Sequence, residues 1–309
     1  MTGAFGWVIV GVIAILTVAT VVGRTLERRA TTPEGRATIA NLNARTRSWW
    51  VMAVVFGAAL ALGPVATTLL FAGLSFMALR EFWTLAPSRA GDHRALFLSF
   101  FVALPIHYLL LGTGWYGLFA VFIPVYCFLA LPAVSTLAGD VTDFLARQAR
   151  VQWGLMLTVY MLSHAPALMM LDTGADPALL VLYLVVVAQL SDVAQYVFGK
   201  LVGRTRFSPN VSPSKTVEGL IGGWATAVLI GVALHGLTPF TALQAAGMSL
   251  IIVVAGFFGG FVLSAVKRDL GAKDWGYVIA GHGGVLDRVD SIIFAAPVFF
   301  HLTRYWFTP

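Results

Sequence analysis

The sequence has few charged residues and almost no cysteine. Of its 309 residues, 11% are Asp, Glu, Lys or Arg and 59% are hydrophobic, whereas soluble domains carry about 25% charged residues. So few charges do not cover the surface of a water-soluble fold of this length. The composition therefore excludes a soluble globular protein. The single cysteine, Cys127, excludes an internal disulfide and a metal site built from several cysteines.

Several catalytic signatures are also missing. The sequence has no glycine-rich loop of the Walker type, no G-x-S-x-G nucleophile turn and no H-E-x-x-H metal helix. His107, His164 and His235 occur on apolar segments without metal-ligand spacing, so we interpret them as packed or interfacial residues. The net charge of +6 is explained by Lys and Arg in the cytoplasmic loops of a membrane protein, not by nucleic-acid binding.

Long apolar segments dominate the sequence instead. The segments lie at about residues 5–23, 49–63, 64–80, 95–112, 115–139, 151–171, 178–198, 219–237, 242–265 and 290–307. A helix needs about 20 residues to cross the hydrocarbon, so the pattern predicts an all-α integral membrane protein with about ten transmembrane helices. Residues 49–83 predict two short helices with a break near Gly63-Pro64, and the count is nine if this pair is re-entrant.

The distribution of basic residues supports this topology. With the amino terminus outside and every segment crossing, all but one of the 20 Lys and Arg residues fall on the cytoplasmic side. Arg304 is the exception. The pattern predicts a multi-pass protein of the cell inner membrane, and Pro33 and Glu34 predict the first turn of a short surface helix.

We interpret residues 1–309 as one polytopic membrane domain, with N-terminal helices in 1–177 and a catalytic half in 178–309. In that half, the segment from Ser264 to Asp290 combines charges of both signs with glycine. Its cations are Lys267, Arg268, Lys273 and Arg288, and its carboxylates are Asp269, Asp274, Asp287 and Asp290. The positive-inside bias does not explain such a neutral mixture, although a solvated loop with internal ion pairs is one alternative.

The chemistry of this segment suits phosphate. Mg²⁺ takes oxygen ligands, usually one or two carboxylates plus substrate phosphates, and Lys and Arg neutralise phosphate oxygens. The run Gly281-His282-Gly283-Gly284 lets backbone N–H groups approach an anion closely. Together these features predict metal-assisted transfer at a phosphate, on the cytoplasmic side of the membrane.

A second polar segment precedes it. Asp192 lies near the end of the apolar segment 178–198, where a carboxylate is costly and therefore functional by default. The alternative is an interfacial position just outside the hydrocarbon. Ser212-Pro213-Ser214-Lys215-Thr216 gathers hydroxyls and a Lys in a composition that suits phosphate contact but is also common in ordinary loops.

These residues resemble the motifs of a known family. Ser264 to Asp290 is similar to the signature of the phosphatidate cytidylyltransferases, also called CDP-diacylglycerol synthases. The matching residues are Ser264, Lys267-Arg268, Lys273-Asp274, His282-Gly283-Gly284, Asp287-Arg288 and Asp290. Asp192, Tyr196, Gly199 and the string from Ser212 to Gly219 resemble that family's second motif. The likeness covers roughly residues 180–309.

The resemblance implies transfer of a cytidylyl group from CTP to phosphatidate with Mg²⁺, which gives CDP-diacylglycerol and pyrophosphate. It also suggests a homodimer. Together with the chemistry of these segments, the resemblance implies catalytic roles for Asp287, Asp274, Lys267 and Arg268. It implies metal binding by Asp287, Asp290 and Asp192. It predicts substrate binding by Ser212, Lys215, Thr216, Lys273, His282, Gly283, Gly284 and Arg288.

Three positions depart from the family pattern. Gly260 stands where many bacterial members have an acidic residue, Ala280 where Pro is usual, and Ser214 where a second Lys is frequent. These departures leave open a cytidylyltransferase for another lipid phosphate. A transporter or a non-catalytic membrane partner protein is the alternative of a different class. Many transporters have corresponding broken helices in two halves, and this sequence offers only the break near Pro64.

Overall fold

The computed structural model describes residues 3–29, 32–278 and 283–309. The described part contains ten long helices, a short 3-10 helix at His235–Leu237 and one small β-hairpin. The helices are α1 Gly3–Arg29, α2 Pro33–Leu62, α3 Pro64–Leu85, α4 Ala90–Gly112, α5 Tyr116–Thr136, α6 Phe144–Met170, α7 Pro177–Leu201, α8 Val217–Ala233, α9 Ala242–Asp269 and α10 Leu286–Phe307. The strands β1 Arg206–Ser208 and β2 Ser212–Thr216 lie between α7 and α8. Each of the ten apolar segments corresponds to one helix.

The prediction of an essentially all-α membrane protein is confirmed. Within the described part of the chain, seven helices are long and apolar enough to cross a membrane, namely α1, α3, α4, α5, α6, α7 and α9. Of the others, α2 is polar over its first half, α8 has only 17 residues, and α10 carries charged residues near both ends. The chain is therefore a multi-pass membrane protein.

The predicted break between α2 and α3 lies at Gly63. Its φ of 96° belongs to a backbone region that favours glycine. Pro64 then starts α3, where the missing N–H of a proline is not needed by the helix. With 30 and 22 residues, α2 and α3 are longer than the two short helices that the apolar segments predicted.

The prediction of a short surface helix at Pro33 is wrong in its length. The Thr32 hydroxyl caps the helix by accepting a hydrogen bond from the N–H of Gly35 at 3.2 Å. The helix then continues to Leu62 because residues 36–56 contain neither glycine nor proline. One helix thus joins the polar segment to the apolar one.

The β-hairpin was not predicted, because the residues of β2 were interpreted as a loop. β2 pairs with β1 in antiparallel orientation, and the Arg206 guanidinium donates to the carbonyl of Pro213. The Glu218 carboxylate in the first turn of α8 accepts hydrogen bonds from the N–H groups of Arg204 at 3.0 Å and Thr205 at 3.1 Å. Polar contacts of this kind fix the hairpin against the start of α8.

A buried arginine organises the polar end of the N-terminal half. Arg147 of α6 is 2% exposed, and its guanidinium lies 3.0 Å from the Asp92 carboxylate and 2.9 Å from the Asp140 carboxylate. It also donates to the main-chain carbonyl of Thr142 at 2.6 Å. A buried charge needs such complete pairing to offset its desolvation. This network contains none of the predicted site residues.

Close packing of α7 to α10 positions the site. Gly223 of α8 lies against Gln195 of α7 with no space for a Cβ atom, and a Cβ on Gly259 of α9 would stand 2.6 Å from the carbonyl oxygen of Asp290. Small residues allow membrane helices to approach each other closely. The approach brings the polar ends of α7, α9 and α10 together around β2.

Candidate active site

Most of the predicted site residues come from elements that meet at this polar end. The contributions are Asp192 from α7, Ser212, Lys215 and Thr216 from β2, Lys267 and Arg268 from α9, Lys273, Asp274, Gly283 and Gly284 from the loop after α9, and Asp287, Arg288 and Asp290 from α10. His282 lies outside the described residues. The contacts among these residues form two groups, an ion pair and a cluster around one lysine.

The ion pair joins Lys267 and Asp287. Lys267 Nζ lies 2.6 Å from Asp287 Oδ1, and both side chains are buried. Asp287 Oδ2 accepts hydrogen bonds from the N–H groups of Trp275 at 2.9 Å and Gly284 at 3.0 Å. A carboxylate in the first turn of a helix is further stabilised by the helix dipole. Asp287 therefore holds the loop between α9 and α10 in place while it pairs with the lysine.

A second carboxylate, Glu81 of α3, holds the same loop and was missed in the sequence. Its two oxygens accept hydrogen bonds from the N–H groups of Val285 and Leu286, each at 2.8 Å, and the residue is 3% exposed. These N–H groups belong to the start of α10, where backbone donors lack partners within the helix. The signal that marked Asp192, a carboxylate at the end of an apolar segment, also applies to Glu81.

The glycines of this loop are required by close approach. A Cβ on Gly276 would stand 2.9 Å from Glu81 Oε1, and Gly284 leaves no space for a Cβ beside the same carboxylate. Gly283 has a φ of 81°, which glycine adopts at little cost. The ring of Trp275 stacks on Phe82 with a centroid distance of 5.6 Å. Gly276, Gly283 and Gly284 thus lie against two carboxylates of the protein itself, Glu81 and Asp287.

The Lys215 cluster consists of Lys215, Asp192 and Asp290. Both carboxylates are near enough to act electrostatically on the Lys215 ammonium, and they repel each other. Burial lowers the pKa of Lys215, while the two carboxylates oppose that shift. Lys215 Nζ also lies 4.5 Å from the centre of the Phe257 ring. Arg288 also acts electrostatically on both carboxylates, and Lys267 acts on Asp290. The carboxylate pair therefore lies among several cations, which oppose the mutual repulsion of Asp192 and Asp290.

Gly260 of α9 faces this cluster. A Cβ on Gly260 would stand 3.3 Å from Asp290 Oδ2 and 3.7 Å from Lys215 Nζ. The position at which the family pattern has an acidic residue is therefore beside a predicted metal ligand. Among the described residues, no group of three or more His, Cys, Asp or Glu side chains has the arrangement of a metal site.

The carboxylate oxygens of the Lys215 cluster fit the ligand preference of Mg²⁺ better than those of Asp287. One or two carboxylates plus substrate phosphates are the usual ligands of Mg²⁺, and Asp192 and Asp290 are such a pair. Asp287 already accepts three hydrogen bonds, from Lys267, Trp275 and Gly284, which leaves little of its acceptor capacity.

Arg288 has an unused donor that suits an anionic ligand. Its Nε is buried and has no hydrogen-bond partner among the described residues, and its carbonyl accepts from Gln189 Nε2 at 3.2 Å. Buried polar groups are normally paired. An orphaned guanidinium nitrogen beside the carboxylate cluster is consistent with binding of a phosphate oxygen.

Two hydroxyls predicted to bind substrate have structural roles in the hairpin. Thr216 is buried, and its Oγ1 accepts a hydrogen bond from the N–H of Gly219 at 3.1 Å, which caps α8. Ser212 is half-buried and pairs with Ser208 across the hairpin. Both residues therefore position the strand that carries Lys215.

The remaining predicted residues lie further out. Arg268 is exposed and donates to the carbonyls of Val211 at 3.4 Å and Ala272 at 3.1 Å. Lys273 is exposed, and Asp274 is half-buried with its Cβ beside Gly283. The structure thus places Arg268 at the exposed end of α9 and Lys273 in the exposed part of the following loop, not within the Lys215 cluster.

Comparison with known proteins gives matches over most of the chain. Residues 43–306 match the sequence profile of a family described as Cytidylyltransferase family. The uncharacterized protein YnbB of Escherichia coli K12 is 42% identical over 296 residues, which are 94% of this chain and 96% of that protein.

Relatives named phosphatidate cytidylyltransferase match shorter regions. The protein of Staphylococcus aureus strain COL is 36% identical over 129 residues, and that of Synechocystis is 42% identical over 113 residues. These matches span 41% and 36% of this chain and only 50% and 38% of the two relatives. The family match confirms the resemblance recognised in the sequence and extends it into the N-terminal helices.

Proposed function

The chain belongs to the cytidylyltransferase family, and we propose that it transfers the cytidylyl group of CTP to phosphatidate, giving CDP-diacylglycerol and pyrophosphate. The observation that carries the proposal is the convergence of Asp192, Lys215 and Asp290 beside the Lys267–Asp287 pair. The relatives named phosphatidate cytidylyltransferase support the choice of acceptor.

The reaction requires charge to be neutralised around two phosphates. In the proposed step, a phosphate oxygen of phosphatidate forms a bond to the α-phosphorus of CTP, and the bond from that phosphorus to the β-phosphate oxygen breaks. Positioning and electrostatic stabilisation dominate catalysis of this kind. Lys215 and the unpaired Nε of Arg288 would contact the phosphate oxygens, where charge-assisted hydrogen bonds are strong.

Asp192 and Asp290 would hold Mg²⁺ in this scheme. When bound, the ion would neutralise phosphate charge and orient the reacting groups. Lys215, which attracts both carboxylates, would offset their repulsion before substrate binds. Asp290 is held in position by the N–H of Ser291, which donates to its Oδ1 at 2.8 Å.

Asp287 and Lys267 would act as positioning residues. Their ion pair and the two backbone hydrogen bonds to Asp287 Oδ2 fix the loop that precedes Arg288. Arg268 and Lys273, both exposed, would attract the triphosphate as it arrives from water. Asp274 lies next to Gly283 and would orient the same loop.

The proposed location is the cytoplasmic face of the cell inner membrane. A polar site at the ends of membrane helices is accessible to a lipid in the bilayer and to a nucleotide in water. Transporters place their substrate sites near the midplane of the bilayer, whereas the polar residues here gather at one end of α7, α9 and α10. That placement favours an enzyme.

Another lipid phosphate is the second candidate acceptor. Gly260 removes an acidic side chain from a position beside Asp290 and Lys215, which opens space and lowers negative charge next to the site. Such a change suits an acceptor whose headgroup differs from that of phosphatidate in size or charge.

The acceptor is tested with purified protein in mixed micelles, labelled CTP and Mg²⁺. Phosphatidate, lysophosphatidate and a polyprenyl phosphate are supplied separately, and the labelled lipid product is extracted. The proposal predicts product with phosphatidate at the highest kcat/KM. Product only with another lipid phosphate would establish the second candidate, and no labelled lipid with any acceptor would contradict both.

A further inference from the structure

A large apolar cavity lies between α3, α4, α5, α6 and α10, away from the candidate active site. Its volume is about 790 Å³, within the range of about 300–1,000 Å³ that is typical of ligand pockets. Leu69, Leu109, Met170 and Phe300 are among its lining residues. Leu69 and Leu109 are 66% and 64% exposed, so the edge of the cavity is continuous with the apolar outer surface of α3 and α4.

Arg304 is the only cation among the residues that line this cavity. Its guanidinium carbon lies 3.8 Å from the centre of the Tyr116 ring, which also lines the cavity. No carboxylate in residues 3–29, 32–278 or 283–309 forms an ion pair with Arg304. Arg304 is exposed at the end of its helix, and its guanidinium lies over a ring on the cavity wall, where a ligand at the edge of the cavity can contact it.

The cavity is far from the candidate active site. Asp287 lies in the first turn of α10 and Arg304 in its last turn. At a rise of about 1.5 Å per residue, the two positions are about 25 Å apart along the helix, which approaches the hydrocarbon thickness of about 30 Å. Arg304 therefore lies towards the membrane surface opposite the candidate active site, and the cavity does not contain the reacting phosphate.

We propose that this cavity binds an anionic phospholipid from the leaflet opposite the candidate active site. An acyl chain fills the apolar volume between α3, α4 and α6, and the headgroup phosphate pairs with Arg304. The combination of apolar walls and one unpaired cation matches the two parts of such a lipid, and arginine binds phosphate through paired hydrogen bonds. This site is independent of the proposed reaction.

The test is native mass spectrometry of delipidated full-length protein titrated with phosphatidylglycerol or with phosphatidylcholine. Both lipids carry a phosphate, but the choline cation cancels the net charge of phosphatidylcholine, so the wild type is expected to bind one phosphatidylglycerol about tenfold more tightly. Arg304→Gln should reduce phosphatidylglycerol affinity to that of phosphatidylcholine, while Arg304→Lys should retain most of the preference. Ala72→Trp, which fills the cavity from α3, should weaken binding of both lipids. Unchanged thermal unfolding midpoints establish that each variant is folded.

Three results would overturn the proposal. If both lipids bind with equal affinity and Arg304→Gln does not change it, the charge of Arg304 has no role in lipid binding. Unchanged lipid binding in Ala72→Trp would show that lipid binds elsewhere. A wild-type dimer that Ala72→Trp dissociates, without a tightly bound lipid, would assign the cavity to a second copy of the chain. No nucleotide is present, so each result stands apart from the outcome for cytidylyl transfer.

Discussion

Lys267 and Asp287 form a buried ion pair with 2.6 Å between Nζ and Oδ1, at the point where α9 meets the start of α10. The second oxygen of Asp287 binds two backbone N–H groups of the loop between these helices. The pair therefore connects the stability of the fold to the shape of the candidate site. Its removal should affect both.

Asp287→Asn should destabilise the protein and abolish activity. The change leaves the Lys267 ammonium buried without its counter-ion, which costs about 3 kcal/mol or more of unfolding free energy. Unfolding in detergent by denaturant measures this loss. Asp269→Asn, at an exposed position at the end of α9, the helix that carries Lys267, is the matched control and should change stability little. The double variant Lys267→Met/Asp287→Asn should recover part of the loss, and no recovery would contradict the ion-pair account.

Glu81→Gln should loosen the start of α10. A glutamine presents one acceptor and one donor to the N–H groups of Val285 and Leu286, so one of the two hydrogen bonds is lost and two donors oppose each other. Hydrogen exchange at residues 283–288 should accelerate, and the KM for CTP should rise through the displaced Arg288. Glu34→Gln, at an exposed site in α2, should change neither. If the amide hydrogens of residues 283–288 exchange at the wild-type rate in Glu81→Gln, Glu81 does not anchor the start of α10.

Lys215→Met should reduce kcat by about 100-fold or more, the effect of removing one stabilising charge at a reacting oxygen. It also removes one of the two cations, Lys215 and Arg288, that act on both Asp192 and Asp290. Steady-state kinetics with saturating CTP measure the loss. Lys200→Met removes the same charge from an exposed position on α7 and should retain activity. If the Lys215→Met variant is active, the reaction does not take place at the Lys215 cluster.

Gly260→Asp should lower the Mg²⁺ concentration needed for half-maximal activity several-fold. The new carboxylate would lie beside Asp290 and Lys215 and add an oxygen ligand to the site. Gly260→Ala separates the effect of size from that of charge, and it should leave the Mg²⁺ requirement unchanged. If the two variants have the same Mg²⁺ requirement, the metal does not bind at this cluster.

Much of the fold was predictable because lipid imposes long apolar helices. Each of the ten apolar segments corresponds to a helix, and the break at Gly63 was visible as Gly-Pro. The full length of α2 was not predicted, because its charged first half was interpreted as a separate short surface helix. The hairpin of β1 and β2 depends on tertiary hydrogen bonds to Glu218, which a local pattern does not contain.

The candidate site was predictable as a set of residue types but not as a set of contacts. The motifs placed Asp192, Lys215 and Asp290 in one polar region, and the structure brings these three together. Glu81 escaped notice because its partners lie more than 200 residues away in sequence. The structural role of Asp287 could not be predicted either, because a sequence motif does not show backbone hydrogen bonds such as that from the N–H of Trp275.

The proposed reaction and the role of Asp290 are tested most directly by one assay. It measures the Mg²⁺-dependent conversion of labelled CTP and phosphatidate to CDP-diacylglycerol by wild type and Asp290→Asn. Asp172→Asn, at an exposed position before α7, is the matched control. We expect product from wild type and the control, and a rate at least about 100-fold lower for a folded Asp290→Asn protein. Full activity in Asp290→Asn would contradict the assigned site, and a folded wild type without CDP-diacylglycerol product would contradict the proposed reaction.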